Sequence, residues 1–174
     1  MITLVTTCDM RNGIDAPLGV PWDLPESQTH LDVLTKGAIC IVDADLWITL
    51  SEDFKRTREI FVLSKQGKPL DDGTPTHTLT QIRARIRFSK PNNNHRVNDI
   101  YVLGGEHVFA ELLPYATFIR MIRIMDRYDE CTKVFPKIED IQWKLARRSM
   151  ERFSKDGTPY RSLTFFRIKD ALVF

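Results

Sequence analysis

Ile100-Tyr-Val-Leu-Gly-Gly-Glu-His-Val-Phe-Ala-Glu-Leu-Leu-Pro114 decides how this chain is read. An apolar run ends in Gly104-Gly105 and opens into an amphipathic stretch. Val108, Leu112 and Leu113 share one face of it at helical spacing. The pattern predicts a buried strand, a tight glycine turn and a helix. Two glycines let backbone approach a ligand closely, and free N–H groups at a helix start favour anions such as phosphate. A close-packed strand–helix corner is the alternative use of the same turn.

Working outward, Ile2–Cys8 is rich in β-branched residues and reads as an opening strand. Residues 9–25 read as a loop, with Gly13, Pro17, Gly19, Pro21 and Pro25 spaced among apolar Ile14, Leu18, Val20 and Trp22. A loop this long that carries buried-type residues is usually functional. Residues 25–36 predict a helix, with proline at the start and Gly37 past the end. A short buried strand follows at 38–42, and a second helix opens at 43–50 with acids in its first turn. A strand at 59–64, a surface loop at 65–75, an amphipathic helix at 78–87 and a polar, mobile stretch at 90–98 precede the glycine turn. Beyond it come a strand at 118–125 and a terminal hairpin, 143–153 and 160–168, joined at 155–159. Alternating strands and helices closed by an antiparallel pair predict one α/β domain over 1–174. Its central sheet is mostly parallel, flanked by helices and closed by a C-terminal antiparallel hairpin.

Composition sets limits. The 174 residues suffice for a sizeable core, and 43% hydrophobic with 28% charged residues is ordinary for a globular chain. A net charge of +2 gives no reason to expect nucleic acid. Arg83, Arg85 and Arg87 alternate as a solvated face does. Cys8, Cys40 and Cys131 are far apart and lack metal spacing; Cys8 and Cys40 end or sit inside apolar runs and are expected as buried thiols, and the odd count predicts a reducing cytoplasm. The four histidines lack zinc-ligand spacing, so no metal is expected, and no apolar run approaches the ~18 residues of a membrane helix.

Several strings, in order, resemble the dihydrofolate reductase family. They are Gly13-Ile14, Pro21-Trp22-x-Leu24-Pro25, Thr35, Trp47, Arg58 before Ile60-Phe-Val-Leu-Ser64, Val102-x-Gly104-Gly105, Leu113-Pro114 and Phe135-Pro136. The resemblance spans nearly the whole chain. It implies NADPH as cofactor and dihydrofolate or a related pterin as substrate. The substrate would sit between the opening strand and the first helix, against Val5, Thr6, Leu31, Leu50, Phe54 and Leu103, with Trp22 in the catalytic group. Arg58 would grip a substrate carboxylate, a bidentate task suited to its planar fork. Thr7, Ile14 and Val20 would face nicotinamide under a mobile loop, with Phe109 where a tyrosine is common. Gly104, Gly105, Glu106 and His107 would face pyrophosphate, and Ser64 and Lys65 the adenosine 2′-phosphate. A monomer is expected.

The chain departs from the family in three places. The family's pocket carboxylate falls on Ser27; losing such a group costs roughly 10²–10⁴ in rate. Glu26 is adjacent but turned about 100° away on a helix, and Asp32 is a further candidate. Where the family has Gly-Arg-x-Thr, this chain has Asp43-Ala44-Asp45-Leu46, which sets acids toward a polyanion. Asp43 is also a competent helix cap. Arg123 stands where a threonine that holds the pocket acid is expected. Two readings follow: NADPH-dependent reduction of dihydrofolate, taken as the leading one, or a catalytically degenerate fold that binds a ligand or a partner protein.

Overall fold

Alternation along the strands builds the core. In the computed structural model, which describes residues 1–88 and 99–174, β1 (Ile2–Cys8) sends Leu4 into one apolar cluster and Val5 into another. Successive strand side chains point to opposite sheet faces, so a strand covered on both faces reads as continuously apolar. In chain order β1 is followed by β2 (Gly13–Asp15), α1 (Pro25–Thr35), β3 (Ile39–Val42), α2 (Ala44–Thr49), α3 (Glu52–Arg56), β4 (Glu59–Leu63), β5 (Thr76–His77) and α4 (Leu79–Phe88). After the undescribed segment come β6 (Ile100–Val102), α5 (Glu106–Leu112), a 3-10 turn at Leu113–Tyr115, β7 (Phe118–Ile124), β8 (Lys133–Val134), β9 (Trp143–Arg148), β10 (Arg152–Phe153) and β11 (Pro159–Arg167). The polar stretch at 90–98 lies outside the described residues.

The main sheet runs β10-β11-β7-β1-β6-β3-β4-β5, with β9 also paired to β11. Its pairs are parallel except those that β11 makes with β7, β9 and β10. The chain leaves β1 for β3 on one side and returns through β6 to β7 on the other. That reversal opens a crevice at the carboxyl ends of β1 and β6, the usual ligand position in such sheets.

Local chemistry sets the element ends. Pro25 opens α1, and Gly37 follows it at φ +74°. The Asp43 carboxylate caps α2 by accepting from the Leu46 N–H at 2.9 Å. Ser51 caps α3, an element the sequence pattern did not predict. Residues 9–25 are not wholly loop: β2 pairs antiparallel with β8. Fully buried Asp9 ties the loop's base, accepting from the Arg11 and Gly13 N–H groups and from the distant Tyr128 N–H. The first arm of the terminal hairpin is interrupted at 149–151 and meets β11 as two strands. Burial pushes the Cys8 and Cys40 thiols up to about 12, consistent with packed, unreactive sulfur.

Candidate active site

Two cavities adjoin at the carboxyl end of β1. A cleft of about 710 Å³ runs beneath the 14–22 loop toward Gly104-Gly105, and a pocket of about 280 Å³ continues under α1. Thr6, Thr7, Ser27 and Leu103 line both. At this junction the Ser27 and Thr7 hydroxyls lie 2.6 Å apart and share a hydrogen bond. Thr7 comes from a strand end and Ser27 from the first turn of α1, so the pair bridges the two elements that frame the crevice.

The cleft gathers Trp22, Thr7, Ile14, Val20, Gly104, Gly105, Glu106 and Phe109 from the residues expected by sequence. Trp22 meets Tyr128 edge-on at 5.4 Å. The pocket gathers Val5, Thr6, Leu31 and Leu103. Leu50 and Phe54 pack with Leu31 in an apolar cluster and line neither cavity. Glu26 does not turn inward to either cavity; its Oε2 is buried without a hydrogen-bond partner. Helical geometry separates it from Ser27, as one residue rotates the side chain by about 100°.

Arg58 differs from expectation. Its Nε donates to Thr35 Oγ1 at 2.8 Å, and Nη1 donates to the Phe54 carbonyl at 3.0 Å and Thr57 Oγ1 at 2.6 Å. Nη2 donates to the Asp32 carbonyl and carboxylate, both at 2.9 Å. The side chain is 2% exposed and stacks 3.6 Å over the Phe54 ring. Asp32 therefore neutralises Arg58 instead of supplying an acid to the pocket.

Arg123 also requires correction. In the β1–β7 register, Thr7 pairs with Ile122 and Cys8 with Arg123. Ile122 consequently lines the pocket at the place expected for Arg123. A one-residue step turns a strand side chain to the other face. Arg123 Nη1 instead donates to the Asp9 carbonyl at 2.6 Å and Asn12 Oδ1 at 2.7 Å, bracing the loop base.

The far end of the cleft is acidic. Asp15, Asp43, Asp45 and Glu106 line it against a single lysine, Lys133, which pairs with Asp45 at 3.0 Å and Asp15 at 3.5 Å. Those partners, the Asp45 hydrogen bond first, raise the Lys133 ammonium above its ordinary proton affinity. Gly104 and Gly105 serve close packing here: an added Cβ would meet Leu46 Cδ2 at 2.6 Å and Asp43 Oδ2 at 2.5 Å. Ser64 is engaged with Thr76 and the Gly67 N–H, and Ser64, Lys65 and His107 line neither cavity. Lys133 and Asp15 escaped sequence reading because only the β2–β8 pairing brings them to the cleft. No group of three or more metal-ligating side chains occurs among the described residues, and none of their helices is long and apolar enough to cross a membrane.

The fold resembles a solved dihydrofolate reductase from Enterococcus faecalis complexed with NADP(H) and RAB-propyl, at a TM-score of 0.78 with 97% of each chain covered and 17% identity. In sequence the chain is 26% identical over 166 residues to the dihydrofolate reductase of Neisseria meningitidis, covering 95% of this chain and 98% of that one. It is 24% identical over 161 residues to the Bacillus subtilis enzyme, covering 92% and 89%. The family model described as dihydrofolate reductase matches residues 1–167. With the crevice between β1 and α1 and a match over nearly its full length, the chain belongs to the dihydrofolate reductase family of oxidoreductases.

Proposed function

We propose that this protein reduces dihydrofolate to tetrahydrofolate with NADPH, and that it does so without a pocket carboxylate. The observation that carries the reading is the Thr7–Ser27 hydroxyl pair at the junction of a long cleft and a smaller pocket. NADPH, when bound, supplies a hydride. Thr7, Ile14, Val20 and Trp22 form an end of the cleft suited to the nicotinamide ring. The Gly104-Gly105 end fits the pyrophosphate poorly, since its acids outnumber Lys133.

The chain's own residues bind and orient. The Ser27 and Thr7 hydroxyls offer hydrogen bonds to the pterin edge, and Val5, Leu31 and Leu103 give its ring an apolar wall. With no carboxylate lining the pocket beside Ser27, the proton destined for the pterin nitrogen comes from water. The rate of the parent protein therefore rises as pH falls, because substrate protonated in solution no longer needs an enzyme acid. NADPH oxidation with dihydrofolate, followed from acid to slightly alkaline pH, tests this. A maximum at neutral pH sinks the acid-free mechanism.

Charge at the cleft's far end gives a second prediction. Asp45→Asn removes a like charge facing the phosphates and leaves Lys133 with Asp15 as its remaining partner, and should tighten NADPH binding about two- to fivefold at low salt. Fluorescence titration at low and high salt checks it; an unchanged constant at low salt contradicts the placement. Asp32→Ala gives a third. It releases one edge of Arg58, so KM for dihydrofolate should fall severalfold with kcat little changed. The stability loss should be about 1–3 kcal/mol, because the Asp32 side chain is 55% exposed but the Arg58 side chain left without its carboxylate is 2% exposed.

The acids beside Gly105 also favour a second reading, a degenerate reductase fold kept for binding a ligand or partner. Undetectable NADPH binding together with no turnover would select it.

A further inference from the structure

The pocket under α1 has a charge character that the proposed reaction does not use. Arg120, Arg147, Arg152 and His30 line it, with no aspartate or glutamate among its lining residues. The strand register sets two of the arginines abreast: Val5 pairs with Arg120, Arg120 with Thr164, and Thr164 with Arg147. Arg120 and Arg147 thus stand two strands apart, about 10 Å between backbones, with Thr164 between them. Among the described residues none of the three guanidiniums has a hydrogen bond or ion pair. Other arginines are paired with acids, as Arg58 is with Asp32 and Arg161 with Glu151 at 3.7 Å. Like charges gathered around a cavity repel one another, and an anion at their centre relieves that repulsion.

The inner wall is different. Val5, Leu31, Leu103 and Ile122 supply apolar surface. A volume of about 280 Å³ exceeds what a bare inorganic anion fills. We infer that this pocket is an anion-recognising subsite for a compact ring compound bearing a phosphate or carboxylate. The ring lies against the apolar wall, and the anionic group meets Arg120, Arg147 and Arg152. Because Thr6, Thr7, Ser27 and Leu103 line both cavities, such a ligand and a pterin exclude each other there.

The test is calorimetric titration of the whole protein, without NADPH, using phenyl phosphate, benzoate and inorganic phosphate. Phenyl phosphate or benzoate should bind with a dissociation constant below about 1 mM. Whichever binds tighter names the anionic group. Inorganic phosphate should bind at least tenfold more weakly, lacking the ring. Arg147→Gln, at an exposed edge position, should weaken the tighter probe about tenfold, and Arg120→Gln/Arg147→Gln further still. Arg148→Gln removes the same charge next door, but on the opposite strand face, and should change affinity less than about twofold. A second readout is His30, whose imidazole is held below its ordinary proton affinity by burial and then by the Arg120 charge. A bound anion should raise it, visible by NMR titration. No saturable binding by either ring compound overturns the subsite, as does equal loss in Arg147→Gln and Arg148→Gln. Since no cofactor or turnover is involved, failure here leaves the reductase reading standing, and failure of NADPH oxidation leaves the subsite standing.

Discussion

Replacing Ser27 with aspartate should raise NADPH-linked dihydrofolate reduction at neutral pH by roughly 10²–10⁴-fold, the usual worth of a positioned general acid or base. The backbone already presents this position to the junction of the two cavities. Thr7 Oγ1, now 2.6 Å from Ser27 Oγ, would donate to the new carboxylate. The first turn of a helix favours an acid, and the arginines of the neighbouring pocket favour its ionised form. Folding therefore opposes the change little. The pH profile carries the mechanism: the parent's rate climbs toward acid, whereas the variant's passes through a maximum set by its carboxylate. Steady-state rates of both proteins across the pH range check this. A variant no faster than its parent would mean that the Thr7–Ser27 junction is not where the substrate is protonated.

Gly105→Ala should lower unfolding free energy by about 2–5 kcal/mol. Gly105 sits at φ +90°, a conformation that strains an L side chain by about 1–3 kcal/mol. Its Cβ would lie 2.5 Å from Asp43 Oδ2 and 2.7 Å from Asp43 Cγ, so the buried carboxylate must move. Moving it loosens the cap on the Leu46 N–H, worth a further ~0.5–2 kcal/mol. In a chain of this size the thermal midpoint should fall by roughly 4–20 °C. Gly157→Ala isolates the backbone contribution: φ there is +88°, yet an added Cβ meets nothing within 4 Å. Thermal melts of the two variants compare strain alone with strain plus collision. Equal losses would show that Asp43 yields freely and that the Gly105 contact does not hold the cleft's far end.

The same glycine pair shows how far the sequence reading reaches. A strand ending in two glycines and opening a helix is legible because apolar period and turn chemistry are local. Which neighbour the missing side chains make room for is not local. The space over Gly104 and Gly105 is taken by Leu46 and Asp43, from an element some sixty positions earlier. Sequence admitted both a ligand approach and a packed corner, and packing is what the structure shows there.

Arg123 and Arg58 mark the other boundary. Both belong to segments whose type was readable, a strand and the start of another. Their partners depend on register and on approach between distant segments. One step along β7 puts Ile122 beside Thr7 and turns Arg123 to the loop base. Arg58 meets Asp32 across 26 positions of chain. Strand period tells which residues alternate, but neither which face a side chain joins nor which charge it meets.

By itself the sequence determined the order of the main strands and helices, though not α3 or the short strands β2, β5 and β8, together with the buried core strands, the replacement of the pocket acid by Ser27 and the acids at 43 and 45. These follow from side-chain period, turn residues and residue identity, all carried within a few positions. Tertiary structure alone decided the Thr7–Ser27 hydroxyl pair, the capture of Arg58 by Asp32, the bridge from Lys133 to Asp45 and the row from Arg120 to Arg147. Each of these needs segments far apart in the chain to meet at one sheet end or in one register, and that meeting is set by the packing of the whole core.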